Sequence, residues 1–419
     1  MGKFSDGFLI GASTAAHQVE GNNIHSDFWA LEQVTDFMFK EPSLQAVDHY
    51  NRFKEDIDLM ADAGLNAYRF SIEWARIEPK KGCFDEEEIQ HYRDVLEYCR
   101  KKGITPFVTM HHFTSPKWLI EAGGWESEDT PDAFAAYCKY VAEKLGDALE
   151  YVCTINEANM GLQITKIMKE RTLDVQVGLS EGMSDMETFM RERMAKLSTV
   201  FTGIDPRNVH IFLSPRTERG DILVFEAHEK AREAMKTVCP HLKIGITLSL
   251  YNYQSIDGGE ENALKSQTED FLHYLPYLQK DDFFGLQNYS RKIYGTDGVL
   301  PLKEGTEVTQ MGYEFYPEAL EGVIRQVHEH LKLPIYVTEN GIATSDDGRR
   351  VEFIKRALAG VERCISDGIP VKGYMHWSLL DNFEWMLGYQ MTFGLIAVDR
   401  SNQTRHPKDS LKYLGSFLG

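Results

Sequence analysis

Short apolar runs recur along the chain, and longer stretches with apolar residues at helical spacing fill most of the gaps between them. Eight runs have the length and the β-branched or aromatic content of buried strands: residues 8–12, 65–71, 104–110, 151–155, 244–250, 283–286, 335–338 and 371–378. Between them, "HYNRFKEDIDLMADAG", "EEEIQHYRDVLEYCRKKG" and "VFEAHEKAREAMKTV" predict amphipathic helices. In the second, Ile89, Tyr92, Val95, Leu96 and Cys99 share one face, and Lys101-Lys102-Gly103 closes the segment at its negative dipole end. Strands alternating with helices imply parallel pairing. Eight such units predict an α/β fold, a (β/α)8 TIM barrel with its active site at the carboxyl ends of the strands.

A ninth run, "NVHIFLSP" at 208–215, is either a further strand or an insertion. A doubly wound open sheet is the alternative fold, but its nucleotide-binding form needs a glycine-rich turn after an early strand, and the chain contains no G-x-G-x-x-G. No Pro/Gly/Ser linker, low-complexity tract or short-period repeat divides the chain. Residues 1–419 are therefore expected to form a single catalytic domain, since barrels commonly reach this length.

Two of the predicted strands end in glutamate. "EYVCTINEAN" stops its apolar pattern at Asn156 and Glu157, and "PIYVTENGIA" stops at Glu339, Asn340 and Gly341. Alone, "ENG" reads as a surface turn with a solvated carboxylate. A second strand-terminal glutamate changes that reading, because two carboxylates facing a cleft are the minimum equipment for cleaving a glycosidic bond. The other strand ends bring His17, Gln18 and Glu20; Arg69; His111, His112 and Phe113; Gln287, Asn288 and Tyr289; and His376, Trp377, Asp381, Asn382, Glu384 and Trp385. Polar groups mixed with rings suit carbohydrate, whose hydroxyls need donors and acceptors and whose C–H faces pack on aromatics.

Charge narrows the partners. The 64 acidic and 45 basic residues give a formal charge of −19, which disfavours binding to a phosphate backbone. The amino end has one lysine and a four-residue apolar run, too little for a signal peptide or a membrane span. A cytoplasmic location with neither nucleic acid nor membrane as partner is expected. The six cysteines are dispersed, with no C-x-x-C pair, and read as thiols. Histidines are frequent, but no H-E-x-x-H or Cys/His cluster accompanies them, so neither metal nor cofactor is expected.

Taken with "HQVEG", "YRFSIEWARIEP", "TMHHFTSPKW", "GLQNYS" and "YMHWSLLDNFEWMLGY", the segments "TINEAN" and "YVTENG" closely resemble the family 1 glycoside hydrolases, the β-glucosidase and β-galactosidase group. The resemblance runs from Phe8 to the terminal "VDRSNQTRHPKDSLKYL". It implies a retaining double displacement on terminal, unphosphorylated β-D-glycosides, with glucose the first guess. Glu157 matches the family's general acid and base, and Glu339 its nucleophile. The same comparison assigns Gln18, His112, Asn156, Tyr289, Trp377, Glu384 and Trp385 to substrate binding and Arg69 to support of the nucleophile. Three departures stand out: Ala158 where the family usually has proline, Phe113-Thr114 where many members have Trp-Asp, and a poorly matching stretch at 160–219. Phe113 and Thr114 are accordingly assigned to the leaving-group side. Two other outcomes are compatible with the sequence: a transglycosylase using the same glycosyl-enzyme, and a non-catalytic sugar-binding barrel.

Overall fold

The computed structural model describes residues 4–35, 37–168 and 192–418. Its strands are β1 (Leu9–Ser13), β2 (Ala67–Ser71), β3 (Thr105–His111), β4 (Tyr151–Ile155), β5 (Lys243–Gly245), β6 (Thr247–Ser249), β7 (Asn252–Ser255), β8 (Phe284–Gln287), β9 (Arg291–Gly295), β10 (Gly298–Val299), β11 (Ile335–Asn340) and β12 (Val371–Trp377), followed by a carboxyl-terminal hairpin. The main sheet is parallel and runs β5-β4-β3-β2-β1-β12-β11-β8-β6. Strands β5 and β6 are two pieces of one stretch, separated by Ile246 alone. Because β5 pairs with β4 and β6 with β8, the two edges of the sheet meet. The result is the expected (β/α)8 barrel, with the fifth strand in two pieces.

Contacts between strands that are not neighbours show what fills the ring. The Phe107 ring of β3 lies 5.2 Å from that of Tyr336 in β11, and Phe283 lies 5.1 Å from Phe107 and 5.3 Å from Tyr336. These rings plug the barrel towards the amino ends of its strands. Higher in the same interior, Arg69 of β2 reaches Glu339 of β11, so the polar site rests on an aromatic floor.

The helices form where their patterns predict. Glu86–Lys101 starts at Asp85, whose carboxylate accepts from the amides of Glu87 and Glu88, and it buries Ile89, Tyr92, Val95, Leu96 and Cys99. Three acidic residues in its first turn and Arg100 and Lys101 in its last complement the helix dipole. Among the described residues no helix is long and apolar enough to cross a membrane.

The ninth run is not a strand. Asp205 caps a short 3-10 turn at Pro206–Asn208, and the chain continues without strand pairing. Its apolar residues are spent on packing instead: Phe212 sits 4.8 Å from His111, 5.0 Å from Trp125 and 5.8 Å from Phe113. A small second sheet, in which β7 pairs parallel with β9 and β9 antiparallel with β10, stands beside the barrel. Its strands are short and partly polar, and no apolar run announces them.

Candidate active site

The "ENG" turn has a steric explanation. A Cβ on Gly341 would lie 1.9 Å from the Trp377 carbonyl oxygen at the end of β12, so only glycine lets the neighbouring strand end approach. Strand β11 is also irregular here, with register shifts against both β8 and β12 just before Glu339 and Asn340. The Asn288 amide donates to the Glu339 carbonyl at 3.1 Å, and Asn340 Nδ2 donates to the Asn288 carbonyl at 2.6 Å. Glu339 is thereby held on the barrel axis and not turned to solvent.

Three groups donate to its carboxylate. Arg69 Nη1 lies 2.6 Å from Oε1, Gln287 Nε2 lies 2.9 Å from Oε1, and the Tyr289 hydroxyl lies 2.6 Å from Oε2. Arg69 Nη2 and Gln287 Nε2 also donate to Asn156 Oδ1, at 2.5 and 2.7 Å. That leaves Asn156 Nδ2 buried and without a partner among the described residues, a spare donor on a residue that shares Arg69 and Gln287 with Glu339.

Glu157 reaches the same cavity in a different setting. It follows Asn156 at the end of β4 with φ at +44°, a left-handed conformation that is uncommon outside glycine, and its amide donates to Thr247 Oγ1 at 3.0 Å. Burial, then the Glu339 charge, push its carboxyl up to about 8, opposed by the Ser249 hydroxyl and Arg69. Burial also raises Glu339, but the Arg69 charge and the hydrogen bonds from Tyr289 and Arg69 oppose that rise. Of the two, Glu339 is the one whose surroundings, a guanidinium and a phenol, favour the charged form, and Glu157 the one whose surroundings favour the proton.

The remaining assigned residues ring a cavity of about 320 Å³ lined by His112, Phe113, Glu157, Tyr289, Glu339, Trp377, Glu384 and Trp385. His112 lies 5.6 Å from Trp377 and 5.9 Å from Trp385 in near-parallel stacking. Burial and the nearby Arg69 hold its imidazole well below the ordinary value, so the ring is neutral. Gln18 stands behind Glu384: its Nε2 donates to the Phe383 carbonyl at 2.8 Å and approaches Glu384 Oε2 at 3.3 Å, while its Oε1 is buried and unpaired. Burial, then Glu339, push Glu384 up to about 8.

Of the two leaving-group assignments, the structure brings only Phe113 to the cavity, with its ring 5.1 Å from Trp385. Thr114 is displaced from that role. It is buried, its hydroxyl donates to Glu73 Oε2 at 2.7 Å, and it does not line the cavity, because the turn after β3 points successive side chains to opposite sides. Contributors outside the sequence-based set include Gln287, noted at its strand end but given no role, Ser249, whose hydroxyl meets Glu157, and Tyr251, Met311 and Tyr313 from loops without a local signal.

Comparison with known proteins agrees with this geometry. The family model described as Glycosyl hydrolase family 1 matches residues 1–170 and 254–418. The chain belongs to glycosyl hydrolase family 1. Beta-glucosidase A of Thermotoga maritima is 32% identical over 440 residues, covering 97% of this chain and 96% of the relative. The crystal structure of the beta-glycosidase BGL167 superposes with a TM-score of 0.89 at 45% identity, covering 99% of this chain and 97% of that one. The Thermotoga maritima beta-glucosidase in complex with glucoimidazole superposes with a TM-score of 0.82 at 28% identity over 100% of both chains.

As a family 1 member the chain is a retaining β-glycosidase. The unmatched span between residues 170 and 254 overlaps the departing stretch at 160–219, of which residues 169–191 lie outside the described residues. Ala158 replaces the proline usual in family 1 with a working amide. Its N–H donates to the Thr247 carbonyl at 3.1 Å, a bond that proline cannot make.

Proposed function

We propose that the protein is a β-glucosidase in which Glu157 is general acid and then base and Glu339 is the nucleophile, acting on terminal unphosphorylated β-D-glucosides. The observation that carries this reading is the asymmetry of the two acids. Glu339 has three donors, one of them a buried guanidinium, whereas Glu157 is pushed up to about 8 by burial and by Glu339. In the first step Glu339 attacks the anomeric carbon while Glu157 protonates the departing oxygen. Once Glu339 is esterified its charge is gone, so Glu157 releases its proton more readily and activates the attacking water.

Glu384, Gln18, Trp377 and Trp385 would hold the glucosyl unit, with Asn156 Nδ2 and His112 free to pair with hydroxyls nearer the reacting carbon. An unphosphorylated sugar is favoured because the cavity lining includes no Lys or Arg among the described residues and does include Glu384. A panel of aryl β-glycosides tests the assignment. Aryl β-glucoside should have the highest kcat/KM of the glucose, galactose, fucose and mannose set, and efficient cleavage of 6-phosphorylated glycosides alone would overturn it.

A further inference from the structure

A second cavity of about 450 Å³ has two lining residues in common with the active-site cavity. Tyr251 and Tyr313 line both cavities. Their neighbours divide between the two: Tyr289 and Met311 face the catalytic side, Ser290 and Gly312 the other. The tyrosines mark the boundary, or waist, between one chamber that holds the two acids and one that does not. Burial, then Glu157 and Glu384, raise the Tyr313 phenol, which places it electrostatically beside the site.

The outer chamber is apolar where it is open. Ile256, Val299, Leu300, Pro301 and Leu302 line it, and Ile256 and Leu302 are 53% and 48% exposed, in a chain that buries most of its large apolar side chains. Three of its polar residues, Ser290, Arg291 and Glu314, are already satisfied by one another and by Gln254, Lys292 lies over the Tyr251 ring at 4.0 Å, and Lys303 is exposed. Arg291 donates to both Glu314 oxygens at 2.8 and 2.7 Å and to Gln254 Oε1 at 2.9 Å, and the Ser290 hydroxyl donates to the Glu314 carbonyl at 3.0 Å. A sugar placed against Ser290, Arg291 and Glu314 would find donors and acceptors already paired, whereas an alkyl or fused-ring group would remove the apolar wall from water.

We propose that this chamber is a distal leaving-group subsite, and that the enzyme's preferred substrates are β-glycosides of lipophilic alcohols whose apolar tail passes the Tyr251–Tyr313 waist. The proposal rests on the glycosidase reading of Glu157 and Glu339 and names the class of leaving group. Tail burial here is far from the reacting carbon and is the same in the ground and transition states, so it lowers KM and leaves kcat nearly unchanged.

The test is an alkyl β-glucoside series from methyl to decyl, assayed below micelle formation, with the parent chain and with Leu300→Asp and Leu302→Asp. Once the tail clears the waist, each added methylene should raise kcat/KM roughly fourfold through KM. Both variants should flatten that rise while cleaving p-nitrophenyl β-glucoside within about twofold of the parent. Calorimetric binding of octyl 1-thio-β-glucoside reads the chamber without turnover and should weaken at least about tenfold in each variant. Loss of all aryl glycoside cleavage alongside intact tail-dependent binding would reject the catalytic reading and spare the chamber. A rate flat with chain length, or a rise that both variants retain, overturns the proposal. So does a flat rate in a parent dimer that the variants dissociate, which would make the apolar face an interface between copies.

Discussion

Tyr289→Phe removes one hydroxyl and leaves the ring that packs near Phe393. In the parent that hydroxyl lies 2.6 Å from Glu339 Oε2, and no other group donates to this oxygen among the described residues. A hydrogen bond to a charged group contributes about 1.5 to 3 kcal/mol, and its loss here destabilises only the ionised form of Glu339. At about 1.4 kcal/mol per pKa unit, the Glu339 carboxyl should rise by about one to two units. On the proposed roles, activity requires Glu339 ionised and Glu157 protonated, so kcat/KM should fall at low pH as Glu339 gains a proton and at high pH as Glu157 loses one. The acid limb should therefore move up by about one to two units, and the pH optimum should narrow from that side. The two limbs are properties of the coupled pair, so the whole profile is fitted at once. The assay is kcat/KM for an aryl β-glucoside from pH 4 to 10. An unmoved acid limb with a shifted alkaline limb would show that Tyr289 acts on Glu157, and the account of the nucleophile would fail.

Three further outcomes follow from the same site. Glu157 stays protonated to about 8 in the folded chain but ionises in the ordinary carboxylate range when unfolded, so its contribution to stability is full below that range and lost as pH rises through about 8. Glu157→Gln should thus gain stability over the parent between about pH 5 and 8, by about 5 kcal/mol at most, read as a Tm difference that grows with pH. Glu384→Ala should lower kcat/KM for aryl β-glucosides about tenfold to a hundredfold, because a buried acceptor for sugar hydroxyls is lost; an unchanged value would remove Glu384 from the sugar site. Phe113→Trp should change the ratio of kcat/KM between aryl glucosides and cellobiose by about two- to tenfold, and equal changes for both would assign Phe113 to packing.

Much of this was legible because barrel strands are buried on both faces and so leave continuous apolar runs. The runs at 151–155 and 335–338 coincide with β4 and with the start of β11, and each ends where a carboxylate enters the cavity. The run at 244–250 reads as one strand because Ile244, Ile246, Leu248 and Leu250 alternate with small residues without a break, and its division at Ile246 arises from pairing to two different neighbours. The run at 208–215 misleads for the opposite reason. Ile211 and Phe212 are buried, Phe212 by packing on His111 and Trp125, and burial without ladder partners leaves the same pattern as a strand. Thr114 shows the limit of reasoning from neighbouring positions, since one step beyond Phe113 the chain faces Glu73 and not the substrate cavity. Tyr251 directly precedes β7 and Tyr313 directly precedes Glu314, which Arg291 of β9 holds, so both depend on a small sheet that the apolar pattern did not reveal.

The central claim is that Glu339 forms the glycosyl ester and Glu157 does not. Incubation with 2,4-dinitrophenyl 2-deoxy-2-fluoro-β-glucoside slows breakdown of such an ester, and peptide mass spectrometry then locates it. The account predicts inactivation with one 2-fluoroglucosyl group per chain, on the peptide containing Tyr336, Val337, Thr338 and Glu339. Attachment at Glu157 or Glu384 instead, or inactivation without any covalent sugar, would contradict it.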